Sequence, residues 1–199
     1  MRSDHAVGDG EAPGGRGTDP PIGRGLPAAT PAEIGRSPVG LVMSPELLAE
    51  VVAHMRAALP DEGVGLVAVA PPGPDPFVRA TAYVPGTNVD ASPTRYTMHP
   101  REVIDALSEF GRRGWRLGAI VHSHPSTPPV PSPTDRREAY HPMALAMIVS
   151  FAMGDAEIGV WRMDDPVGPV PARLVTKDDG VGRRPDGASA GPSACAVTA

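Results

Sequence analysis

Leu117-Gly118-Ala119-Ile120-Val121-His122-Ser123-His124-Pro125 is an apolar run that ends in two histidines and a proline. Its length and aliphatic content predict a buried strand over 117–123, halted by Pro125. Side chains at i and i+2 of a strand point to one face, so His122 and His124 converge on one volume. A metal ion needs that arrangement, with a third ligand from elsewhere and one tetrahedral position left for water. Asp135 is the nearest candidate, reached by the proline-laden loop that begins at Pro125. The segment Ser132-Pro133-Thr134-Asp135 also has a reading without function, as a capping box with Asp in place of Glu and proline at the first helical position. That reading explains the serine and the aspartate but not the two same-face histidines before them.

Outward from this stretch, the pattern alternates. Ser44-Pro45-Glu46 is a helix start, and Leu47, Leu48, Val51, Val52, Met55 and Leu59 recur at helical spacing until Pro60. Residues 63–70 read as a buried strand, Pro71-Pro72-Gly73-Pro74 as a turn and 77–84 as a second strand. A second amphipathic helix starts near Pro100, with Val103, Ile104, Leu107 and Phe110 as its buried face and Gly111 and Gly114 at its end. Strands follow at 144–151, 158–162 and 172–175. Strands interleaved with helices predict an α/β fold on a mixed sheet flanked by helices.

The chain has 199 residues, enough for one domain but not two full ones. Its three Phe, three Tyr and two Trp all lie between Phe77 and Trp161, and its 26 prolines and 23 glycines are above ordinary usage. Residues 1–40 and 177–199 lack the apolar content to offset ordering entropy and are expected to be disordered, leaving a domain at 41–176. The net charge of −5 creates no positive field for nucleic acid or an anionic membrane. The lone Cys195 rules out an intrachain disulfide and is read as inert. No apolar run approaches the ~20 residues that span a bilayer, and the N-terminus leads into glycine and proline, so a cytoplasmic protein is expected. None of these patterns fixes an oligomeric state.

Other users of His-x-His fail at their flanking residues. A metallo-β-lactamase-like site wants Asp where Ser126 stands, and a cupin wants Glu where Thr127 and Pro128 stand. An amidohydrolase barrel needs ~250 residues. The whole string, His-Ser-His-Pro-x6-Ser-x-x-Asp, resembles the JAMM (MPN+) metallopeptidase family from about Met43 to Arg162. The resemblance implies a cytidine-deaminase-like domain holding Zn2+ by His122, His124 and Asp135. It also implies a glutamate after the first helix as general base. Glu62 in Pro60-Asp61-Glu62-Gly63-Val64-Gly65 takes that role, with Asp61 leaving a small ambiguity of register and Val64 in place of a customary, non-ligating cysteine. Ser132 then donates to the oxyanion.

Short bacterial members of that family resemble enzymes acting on the C-terminal Gly-Gly tail of ubiquitin-like sulfur-carrier proteins. The implied activity is hydrolysis of a peptide or isopeptide bond at such a tail. The tail is expected to add as a strand beside the metal-bearing sheet, where the small residues of 63–70 tolerate close approach. Two further readings remain: a RadC-like protein associated with DNA repair, and a non-catalytic MPN scaffold. The first customarily has a helical DNA-binding segment that residues 1–40 do not suggest, and the second has lost ligands that this chain keeps.

Overall fold

The computed structural model describes residues 38–71, 73–141, 143–176 and 195–197. The expectations for 1–37 and for most of 177–199 lie outside the described residues. In chain order the elements are β1 (Gly40–Met43), α1 (Pro45–Ala57), β2 (Val64–Val69), β3 (Phe77–Gly86), α2 (Pro100–Arg112), β4 (Arg116–His124), α3 (Pro133–Arg137), β5 (Leu145–Met153), β6 (Asp155–Arg162), β7 (Val170–Thr176) and β8 (Cys195–Val197).

The strands run in the order β5-β4-β2-β3-β1-β7-β6, and β6 pairs back onto β5, so seven strands close into a ring. The sheet is mixed as expected: β1 is parallel to β3 and β7, and β4 is parallel to β5. Its closure and its few helices depart from the expected layer of sheet flanked by helices. The cause is β1, which bridges β3 to β7 and which four residues, Gly-Leu-Val-Met, are too short to announce by periodicity. Order therefore begins before Ser44. In the tail, β8 pairs antiparallel with residues 156–158, so the stretch expected without structure is paired at its last described residues.

Both faces of the central strands are buried. All six residues of β2 are inaccessible, which explains its unbroken apolar run. Val67 and Val69 of β2, with Ala119 and Val121 of β4, pack with Leu48, Val51 and Met55 of α1. On the other face, Val64, Leu66 and Ala68 pack against Ala106 and Phe110 of α2, with Ile120 beside them. His122 shares the parity of Ile120, so the two histidines face the α2 side.

The caps follow the sequence signals. Ser44 accepts the Leu47 N–H, and the His99 side chain caps α2 by accepting the Arg101 N–H. Two expected core positions are out of place. Ile104 is 60% exposed, because it sits about 100° around the helix from Val103, off the face that Ala106, Leu107 and Phe110 complete. Leu59 lies beyond the end of α1 and is half-exposed.

Candidate metal centre

Strand β4 delivers the two imidazoles. His122 pairs across to Val64 of β2 and Ile148 of β5 in the ladders, and His124 to Ser150. Both rings are buried, at 1% and 4% exposure. Between them Ser123 faces the other way and locks the neighbouring segment. Its Oγ accepts the Gly63 N–H at 2.7 Å, and its own N–H donates to the Gly63 carbonyl at 3.0 Å. The preceding residue, Glu62, is thereby fixed beside β4, and its backbone is gripped from the other side. The Glu62 N–H donates to the Ser92 carbonyl at 2.8 Å, and the Asn88 amide donates to the Glu62 carbonyl at 2.9 Å.

The loop from Pro125 to Pro131 is tied down carbonyl by carbonyl. Ser150 Oγ donates to Thr127, His124 Nδ1 to Pro128 and Trp161 Nε1 to Pro129, at 2.6, 2.8 and 2.8 Å. Gly159 is required beneath it, since a Cβ there would stand 2.1 Å from the Pro129 oxygen. Stiffened by prolines and anchored three times, the loop delivers the start of α3 onto the histidines. There the capping box is complete: Asp135 Oδ2 accepts the Ser132 N–H at 2.6 Å, and Ser132 Oγ accepts the Asp135 N–H at 3.1 Å.

The three expected ligands come together. His122 Nε2 and His124 Nε2 are 3.2 Å apart, Asp135 Oδ1 lies 3.4 Å from His122 Nε2, and Oδ2 lies 3.7 Å from His124 Nε2. Bonds of ~2.0–2.2 Å at the tetrahedral angle put neighbouring ligand atoms about 3.3–3.6 Å apart, close to the 3.2 Å between the two nitrogens and the 3.4 Å from His122 Nε2 to Asp135 Oδ1. Two ring nitrogens this close share either a proton or a cation. The donor set, two imidazoles and a carboxylate, suits zinc.

The electrostatics match. Burial works against the charge of Asp135, but both imidazoles and Ser132 hold its carboxyl well below the usual carboxylate range. Burial lowers His122 below its ordinary value. Burial also pulls on His124, yet Asp135 and the Pro128 carbonyl raise it overall. Glu62 is 6% exposed, and burial pushes it up to about 7, with His124 opposing and Asp135 assisting. Asp61 is only half-buried.

Beside Asp135 opens a cavity of about 240 Å3. Leu66, Met98, Val103 and Leu107 form its apolar wall, and Arg95, Glu138, Tyr140 and His141 its polar rim. A strand added beside β2 has no place, because β3 and β4 already pair with its two edges and β5 with the far edge of β4.

Sequence reasoning missed Ser123, Asn88, Ser92 and Tyr96. Ser123 had a signal, since the middle of His-x-His must face away from the ligands. The loop residues had none, because their roles arise from backbone carbonyls and ring contacts. Trp161 holds the Pro129 carbonyl, and Tyr140 stands at the cavity rim.

Residues 44–164 match the family described as prokaryotic homologs of the JAB domain. A Thermus thermophilus protein named probable TtuB-protein conjugate cleaving protease is 43% identical over 94 residues, which are 47% of this chain and 59% of that one. This chain thus spans somewhat over half the length of that relative. The CysO-cysteine peptidase of Mycobacterium tuberculosis is 34% identical over 110 residues, 55% of this chain and 73% of the relative. A protein of Desulfitobacterium hafniense solved in solution superposes with a TM-score of 0.59 at 29% identity, covering 69% of this chain and 92% of that one.

Proposed function

The chain belongs to the prokaryotic JAB-domain family, and we propose that it is a zinc-dependent peptidase or isopeptidase acting on the C-terminal Gly-Gly tail of a ubiquitin-like sulfur-carrier protein. The observation that carries the reading is the convergence of His122, His124 and Asp135, whose ligand atoms lie within 4.8 Å of one another, with Glu62 in electrostatic reach of His124 and Asp135. The catalytic unit is taken as 41–176.

His122, His124 and Asp135 would hold Zn2+, which when bound would supply a Lewis acid for the scissile carbonyl and for water. Glu62 takes the proton of the attacking water and passes it to the leaving amine. In the metal-free site burial already lifts the Glu62 pKa from the ordinary carboxylate range to about 7, toward the range of a general base. The Ser132 hydroxyl spends its lone pair on the Asp135 N–H, so its proton is available to the oxygen that gains charge. Asp61, half-buried and without that placement, is the weaker choice of base.

The substrate class draws on the relatives, one named as a probable protease cleaving TtuB-protein conjugates and one as a CysO-cysteine peptidase. The tail is read as approaching from the cavity beside Asp135 rather than along β2. The reading includes a cytoplasmic location. Among the described residues no helix is long and apolar enough to cross a membrane.

Incubation of the zinc-loaded protein with carrier proteins extended beyond Gly-Gly, read by mass spectrometry, tests this. Removal of the residues beyond Gly-Gly is expected, and loss of removal in Glu62→Gln. Intact carriers alongside cleaved unrelated peptides contradict the substrate class. Zinc binding without any hydrolysis supports a scaffold instead.

A further inference from the structure

The two histidines are oriented by different means. His124 donates its Nδ1–H to the Pro128 carbonyl at 2.8 Å, the kind of bond by which metal-binding imidazoles are commonly fixed. His122 Nδ1 is buried and has no hydrogen-bond partner among the described residues. Against its ring lies Tyr96, with centroids 4.5 Å apart and planes inclined by 25°.

Tyr96 is not a loose neighbour. It is carried by the loop between β3 and α2, which Asn88 staples from within. The Asn88 amide donates to the Arg95 carbonyl, and its oxygen accepts the Thr97 N–H, both at 3.0 Å. The Val89 N–H donates to the Thr97 carbonyl at 2.9 Å, so Tyr96 sits in a closed turn of chain. The same loop holds the backbone of Glu62 through Asn88 and Ser92.

We propose that Tyr96 is the positioning residue for His122: its ring stands in for the absent hydrogen bond and fixes the plane in which the imidazole presents Nε2 to the metal. The torsion that turns an imidazole about its Cβ–Cγ bond is broad and is not confined to narrow staggered wells. A hydrogen bond at Nδ1 sets it for His124. For His122 a flat aromatic face, held by a stapled loop, does the same by contact. One loop therefore places both the base and one ligand ring. The inference rests on the reading of His122, His124 and Asp135 as a zinc grip, and it is independent of the substrate.

The test compares Zn2+ affinity and release, by competition with a chromophoric chelator, in wild type, Tyr96→Phe and Tyr96→Leu. The absorption of the Co2+-substituted proteins is recorded beside it. Phenylalanine keeps the stack, and its affinity and cobalt spectrum should match wild type. Leucine removes the flat face and should weaken zinc by about 10–100-fold, the range for other outer-sphere partners, with an altered cobalt band. If the leucine variant does not fold, Tyr96→Met is read by the same criterion. Wild-type affinity and an unchanged cobalt spectrum in Tyr96→Leu overturn the inference and leave Tyr96 as cavity wall. Equal damage in Tyr96→Phe and Tyr96→Leu also overturns it, by assigning the effect to the hydroxyl. A wild-type protein that binds no zinc overturns the metal reading as well, and so is distinguishable from either result.

Discussion

Asp135 and Ser132 are joined twice, and the join leaves one carboxylate oxygen free. Oδ2 accepts the Ser132 N–H at 2.6 Å and Ser132 Oγ accepts the Asp135 N–H at 3.1 Å, while Oδ1 lies 3.4 Å from His122 Nε2. The capping box and the ligand set, which look like alternatives in the sequence, are one arrangement. The box fixes the rotamer that aims Oδ1 at His122 and leaves Oδ2 3.7 Å from His124 Nε2.

Ser132→Ala should therefore have two separable effects. Loss of the cap costs about 1 kcal/mol in urea unfolding. Loss of the donor lowers kcat by about 10²–10³. A stability loss with unchanged kcat would assign Ser132 to the cap alone.

Glu62 gives a pH signature. Burial raises its pKa from 4.5 to about 7 in the folded protein. Between those values folding takes up a proton, so the stability of the metal-free protein falls as pH rises through about 7. Thermal unfolding of metal-free Glu62→Gln should lack this part of the decline. Its zinc-loaded form should bind metal and turn over nothing; near wild-type turnover would remove Glu62 as the base.

Zinc affinity should fall in acid. Despite the pull of burial, Asp135 and the Pro128 carbonyl raise His124 above its ordinary value, and a protonated imidazole offers no lone pair. Zinc binding must then release a proton as pH drops through the His124 titration. Calorimetry in buffers of different ionisation enthalpy measures that release, and its absence would mean that His124 is not a ligand.

The α2 face can be tested by a pair of substitutions. Phe110 is 2% exposed, and Phe110→Ala should cost about 3–5 kcal/mol. Ile104 is on the outer side, and Ile104→Ala should stay within about 0.5 kcal/mol. Similar losses in both would mean that the helix is rotated from the position described.

The strand carrying His122 and His124 was legible because alternation and an apolar run are local. The helix starts at Ser44 and Ser132 were legible because caps are local chemistry. Closure of the sheet was not, since it depends on β1 pairing with two strands far away in sequence. That 63–70 has neither edge open to an added strand was not legible for the same reason: local composition says nothing of which edges are already paired. The outward turn of Ile104 was available from helical angle, had Ala106 been weighed as core. Tyr96 and Ser92 were out of reach, because a ring contact and a backbone carbonyl leave no pattern along the chain.

Calorimetric titration of Zn2+ into the metal-free protein and its Asp135→Ala variant goes most directly to the grip on which the chemistry depends. We expect one ion per wild-type chain and near-complete loss of binding in the variant. No uptake by wild type, or equal uptake by both, would contradict it.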